Sequence, residues 1–199
     1  MNNLLKSKYD ESEFQSFLNY GLKFEVDICN QINSMGGYKC KQIDYNNTQE
    51  FINNCQMDVF GLNEETKEYF RIDAKIQRIS FYKASYYSKG KLKPENCIII
   101  NVKALEAYQK SLIPSYLLIK TEAEYLGKHG IYAIEVHSLT PDKVCFFQKK
   151  AKVAYDVINK YNFNLEDCIY IGETLKDLNK SKMDFILNHK PKVQEQSLF

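Results

Sequence analysis

The clearest pattern in the chain is a strict alternation from Tyr69 to Gln77, YFRIDAKIQ. Phe70, Ile72, Ala74 and Ile76 fall on one side, and Arg71, Asp73, Lys75 and Gln77 on the other. Successive side chains of a strand point to opposite faces, so this period predicts a strand with one apolar face and one that carries an acid beside a base. Gln56 to Gly61 also reads as a strand, and the polar run Leu62 to Glu68 between them reads as a turn, which predicts an antiparallel hairpin. A turn centred near Glu65 and Thr66 sets Asp58 opposite Asp73.

Period 3.6 dominates upstream. Asp10 to Ser34 predicts a helix with Phe14, Phe17, Leu18, Leu22, Ile28 and Ile32 along one stripe. Glu25 falls on that stripe, where an unpaired carboxylate is costly to desolvate. Two readings stay open for it: the stripe's edge, with the carboxylate in water, or a buried polar site. Tyr38 to Tyr45 reads as a strand and Asn46 to Asn54 as a loop. Downstream of the hairpin, Asn101 to Ser111 reads as a helix, ended before Pro114, and Tyr116 to Lys120 and Ile131 to His137 as strands. The order is helix, three strands, helix, strands. Beyond Ser138 the pattern turns lysine-rich. Thr140-Pro141-Asp142 reads as a helix start, and Phe146 to Tyr161 and Leu165 to Leu187 as helical. The expected division is therefore an α/β core over 1–137 with a mixed central sheet flanked by helices, then a helical C-terminal region over 138–199 with a mobile tail.

Composition adds bounds. A chain of 199 residues buries roughly 70% of its unfolded surface and supports a real core. Its longest apolar runs fall far short of a membrane span, and MNNLLKSKYDESE lacks the apolar segment of a signal peptide, so a cytoplasmic protein is expected. Six widely spaced cysteines without a Cys-x-x-Cys pair argue against zinc and disulfide frameworks. A net charge of +2 says little, but its distribution says more. Ala74 to Pro94 holds Lys75, Arg78, Lys83, Lys89, Lys91 and Lys93 and no acid, interleaved with Phe81, Tyr82, Tyr86 and Tyr87. Cations that neutralise phosphate beside rings that stack on bases suit a nucleic-acid surface, with Arg71, Arg78, Lys83, Tyr86, Tyr87, Lys89, Lys91 and Lys93 as its candidates. The competing reading is a solvated lysine-rich loop with its tyrosines folded onto the core.

Carboxylates suit magnesium, which takes oxygen ligands, and Asp58 and Asp73 can supply them. Lys75, two positions from Asp73 on a strand, projects the same way and can stabilise charge developing on a phosphate. The competing reading of that pair is a surface salt bridge of little consequence.

The set of Glu25 on a helix, Asp58 at a strand end, and Asp73-x-Lys75 on the next strand resembles the PD-(D/E)xK nuclease superfamily, and within it Holliday-junction resolvases and small restriction-type endonucleases. The resemblance covers about residues 10–137. It implies a restriction-endonuclease-like core and a magnesium- or manganese-dependent DNA endonuclease that hydrolyses phosphodiesters in line, leaving a 5′-phosphate. It also implies Glu25, Asp58 and Asp73 as metal ligands, Lys75 as assistant to the attacking water, and Gln77 as a contact to phosphate or water. Met57 stands where the family signature has proline, and the third acid is Asp rather than Glu. A non-catalytic nucleic-acid-binding module on the same fold is the alternative, and a homodimer is compatible with either. Glu195 to Phe199 resembles the C-terminal peptides with which bacterial and phage DNA enzymes dock on a sliding clamp, with Leu198 and Phe199 as anchors and Glu195 in place of the initial glutamine. Asn164 to Asp177 resembles a late acidic motif of haloacid-dehalogenase-type phosphatases, but the chain lacks the early Asp-x-Asp that such an enzyme needs.

Overall fold

A computed structural model describes residues 11–44, 46, 47, 49, 56–150 and 157–189. Helix α1 (Glu11–Ser34) leads into β1 (Tyr38–Gln42) through Gly36 and Gly37, whose φ values of 69° and 77° let the chain reverse without Cβ strain. The hairpin follows as β2 (Val59–Asn63) and β3 (Tyr69–Ile79). Asn63 holds its turn. The Asn63 side chain accepts from the amides of Glu65 and Thr66, and Lys67 takes a left-handed φ of 61°. Opposite Phe70 sits Gly61, and the Phe70 ring lies so close over it that a Cβ would meet ring carbons at 2.1 Å.

After β3 come a short helix α2 (Ala84–Tyr87), β4 (Cys97–Asn101) and α3 (Val102–Gln109). Then β5 (Ser115–Glu124) returns parallel beside β3, the crossover that parallel neighbours require. The remaining elements are β6 (Gly130–Glu135), β7 (Cys145–Lys150), β8 (Val157–Asn164), β9 (Ile169–Gly172) and α4 (Lys180–Asn188). A mixed six-stranded sheet runs β1-β2-β3-β5-β6-β9, and a smaller antiparallel sheet runs β4-β8-β7.

Two cores lie on the two faces of the large sheet. On one face Phe24, Ile28 and Ile32 of α1 and Met183 and Ile186 of α4 cover Phe70, Ile72, Tyr116, Leu118, Ile131 and Ala133. The other face, with Leu117, Ile119, Tyr132 and Ile134, meets Ile98, Ile100 and Phe163 of the small sheet and Leu105 of α3. Strands β5 and β6 are covered on both sides, which is why YLLI and IYAI read as continuous apolar runs rather than alternations. The buried stripe of α1 is Phe24, Glu25, Ile28, Cys29 and Ile32. Phe17 and Leu18, expected on it, are exposed, and the Phe17 ring meets Arg78 of β3.

The C-terminal region is not the helical unit expected. More of its described residues lie in strands than in helices, and α4 is its one α-helix among them. Lysines at helix-like spacing misled the sequence reading; Val157, Ile158, Tyr161 and Phe163 are β-branched or aromatic and pair with β4 and β7. Thr140-Pro141-Asp142 forms a turn into β7 rather than a helix start. The residues past 138 join both sheets, β7 and β8 with β4, and β9 with β6. Missed altogether were β4 and α2. No described helix is long and apolar enough to cross a membrane.

Candidate active site

The pairing of β2 with β3 sets Val59 opposite Ile72, and the Asp58 amide donates to the Ile72 carbonyl at 3.1 Å. One step further along that register Asp58 faces Asp73, the juxtaposition expected from the turn. Beyond this point β3 keeps its partner β5 on one side, while its other edge has no paired strand among the described residues. The edge is capped instead by a carboxylate: the Ala74 amide donates to Asp58 Oδ2 at 2.6 Å. A side-chain acid thus takes the place of a ladder carbonyl where the hairpin opens.

Asp73 and Lys75 lie on the face of β3 that looks toward the small sheet, in register with Leu117 and Ile119. Asp73 is almost fully buried, 3% exposed, and Lys75 Nζ stands 2.7 Å from its Oδ2. Lys75 is the one side chain paired with that oxygen among the described residues. Proximity to Lys75 neutralises it in part.

Glu25 reaches the same region from α1. It is buried, 7% exposed, so its carboxylate does not extend into water. Gln42 at the end of β1 donates to its Oε2 at 2.7 Å. Burial alone would lower the Lys75 pKa, but Asp73 beside it, then Asp58 and Glu25, outweigh burial and hold the ammonium above its ordinary value. One lysine therefore stands in the field of three acids. The local charge is a surplus of anions that a lysine only begins to compensate.

Carboxylate oxygens are the donors that a hard divalent cation prefers, and three acids around one lysine leave negative charge that such a cation would balance. Asp58 and Asp73 are the residues placed to hold one. Among the described residues no three His, Cys, Asp or Glu side chains form a ready-made ligand group, so Glu25, Asp58 and Asp73 share a field rather than a single point. Gln77, on the same face as Lys75, turns its amide to the Ile79 carbonyl at 2.5 Å.

The expected nucleic-acid surface divides. Arg71 is buried and donates to Ser111 at 2.6 Å, which removes it from any surface. Arg78 lies 4.5 Å over the Phe17 ring and pairs with Glu122 at 3.3 Å. Tyr87 is folded in against Phe81 and Phe147. Lys83, Tyr86, Lys89, Lys91 and Lys93 stand in solvent, joined by Tyr82, which the candidate set omitted. Leu198 and Phe199 lie outside the described residues. Of the acids in the phosphatase-like stretch, Asp177 is structural: with Thr174 it closes a capping box around a single helical turn.

Sequence reasoning also missed the partner of Glu25. Gln42 carries no signal of its own, and only the pairing of β1 with β2 brings it under α1. In comparison with known proteins, the sequence matches no family model and no curated protein.

Proposed function

We propose that the chain is a metal-dependent nuclease of PD-(D/E)xK type that hydrolyses phosphodiester bonds in nucleic acid, DNA before RNA. The observation that carries this reading is the acid surplus at the open edge of β3, where Lys75 Nζ stands 2.7 Å from the buried Asp73 carboxylate and Asp58 and Glu25 add further negative charge. The order α1, β1 to β3, α3, β5, with β5 parallel to β3, supports a restriction-endonuclease-like core.

In this reading Asp58 and Asp73 hold magnesium or manganese, which supplies Lewis-acid stabilisation of the phosphate and a more acidic water. Lys75, kept protonated by its acidic neighbours, acts as a fixed cation at the attacked phosphate rather than as a base. Glu25, steadied by Gln42, either completes the ligand set or orients water bound there. Gln77 contacts phosphate or water once its amide leaves the Ile79 carbonyl. The exposed lysines from Lys83 to Lys93 bind the backbone. The lysine's direct pairing with Asp73 favours the alternative, a non-catalytic binding module in which that pair is structural.

The test is cleavage of labelled linear duplex, four-way junction, flap, single-stranded DNA and RNA with magnesium or manganese, and with EDTA as control. Metal-dependent cleavage that disappears in Asp73→Ala supports the nuclease. Tight binding without cleavage under every metal condition supports the binding module.

A further inference from the structure

Beyond the end of β3, the aromatic residues of the basic segment sort into two groups. Phe81, Tyr87 and Phe147 pack on one another with ring centroids 4.9 to 5.8 Å apart, over the buried Ala84, Leu92 and Cys97. This anchors α2 to the small sheet. Tyr82 and Tyr86 point the other way, 67% and 80% exposed, and Tyr86 meets the anchored Tyr87 edge-on at 5.2 Å. Two large rings are therefore held in solvent on a fixed base. They have no described apolar neighbour that covers them, and the exposed cations around them, Lys83, Lys89, Lys91 and Lys93, have no acid between Ala74 and Pro94 to balance them.

Exposed cations in excess of acids are complementary to a polyanion, with Asp142 in the field of Lys91 alone among them, and open tyrosine rings present π faces to which any base can stack. A base inside a duplex has both faces occupied by its neighbours, so the rings gain a partner only where nucleotides are unpaired. Lys75 and the strand end at Ile79 are four residues apart, about 13 Å along a strand, with Tyr82 three residues further. That is the span of a short stretch of extended single strand.

We propose that Tyr82 and Tyr86 form a stacking platform for unpaired nucleotides, and that the substrate carries a single-stranded segment next to the phosphodiester presented to Asp58, Asp73 and Lys75. This rests on the nuclease reading for the position of the cut, though not for the stacking itself. Duplex alone is a poorer ligand, because it offers the lysines a backbone and the tyrosines nothing.

The experiment is fluorescence anisotropy on the full chain in EDTA, with a blunt DNA duplex and the same duplex extended by an unpaired tail. The tailed duplex is expected to bind about tenfold tighter or more. Tyr82→Ala with Tyr86→Ala removes that advantage and leaves the blunt duplex unaffected, whereas Tyr82→Phe with Tyr86→Phe keeps it. Equal binding of the two ligands, an alanine loss shared equally by both, or binding to neither overturns the proposal; the last assigns the exposed rings to a protein partner. Cleavage measured in parallel with magnesium separates the two claims. Preference for the tail without cleavage defeats the nuclease reading alone, and cleavage indifferent to tail and tyrosines defeats the platform alone.

Discussion

Two acid–lysine pairs lie on neighbouring parallel strands, and they are opposite in character. On β3, Asp73 and Lys75 are set two residues apart and 2.7 Å from each other, with Glu25 and Asp58 adding negative charge. On β5, Lys120 and Glu122 are also two residues apart and 3.2 Å from each other. There the acid is saturated. Tyr20 donates to Glu122, Arg78 pairs with it, and Lys120 donates to Tyr20 at 2.6 Å. The β5 cluster holds two cations for one acid and ties α1 to the sheet; the β3 cluster holds three acids for one cation. An acid saturated with cations and hydrogen bonds serves structure, whereas a buried surplus of acids is tolerated where a ligand supplies the missing charge.

The sharpest way to break this comparison is to remove one acid from each pair. Asp73→Ala is expected to reduce cleavage by at least about 10² to 10³-fold while binding in EDTA stays near the parent value. A variant that cuts normally removes Asp73 from the site. Glu122→Gln should leave cleavage largely intact. Next in size, Glu25→Gln, which keeps the hydrogen bond with Gln42 within reach but removes the charge, is expected to lower cleavage about 10- to 100-fold, measured as rate against magnesium concentration. An unchanged metal dependence would make Glu25 a structural acid only.

Stability should respond in the reverse sense. Glu122→Gln is expected to cost about 1 to 3 kcal/mol in urea unfolding, since it dismantles a hydrogen-bonded cluster. Asp73→Asn should hold or raise the unfolding midpoint by relieving the crowding of acids. The pH dependence follows from the same contacts. Burial opposes ionisation of Glu122, but hydrogen bonds from Tyr20 and Lys120 and the charges of Lys120 and Arg78 prevail and hold its carboxyl below the ordinary value of 4.5. Its contribution is therefore complete above about pH 4.5 and is lost as pH falls through the lowered value. Glu122→Gln should flatten the acid limb of the stability profile, and an unaltered limb would show that the cluster carries no linkage. The smallest expected effect is at the surface. Replacing Lys89, Lys91 and Lys93 with alanine should weaken binding modestly and reduce the slope of log affinity against log salt by roughly one unit per lost phosphate contact. An unchanged slope would make that segment a bystander.

Much of the fold was legible because it rests on local periodicity. The alternation of Tyr69 to Gln77 and the polar turn before it produced the hairpin, and the hairpin's register alone set Asp58 against Asp73. The 3.6 period of α1 and the apolar runs of β5 and β6 were legible for the same reason. The strand content past residue 138 was not. Cys97 to Ile100 is a short apolar run whose partners lie some 60 residues later, and β8 becomes a strand because β4 and β7 flank it. Lysine spacing in isolation points to a helix there, and the ladder overrides it.

At the candidate site the division is similar. By itself the sequence singled out the residues on which the proposed chemistry rests: an acid and a lysine two apart on a strand face, a second acid brought opposite by a hairpin, and a glutamate on an otherwise apolar helical stripe. Those are short-range facts, set by the periods of two and 3.6. Only the tertiary structure decided that Glu25 turns inward to Gln42, that Arg71 is buried with Ser111 while Tyr82 and Tyr86 are left outside, and that Arg78 belongs to Glu122. Each of these depends on which distant strand or helix comes to lie alongside. Burial and charge balance are properties of that neighbourhood rather than of any stretch of chain.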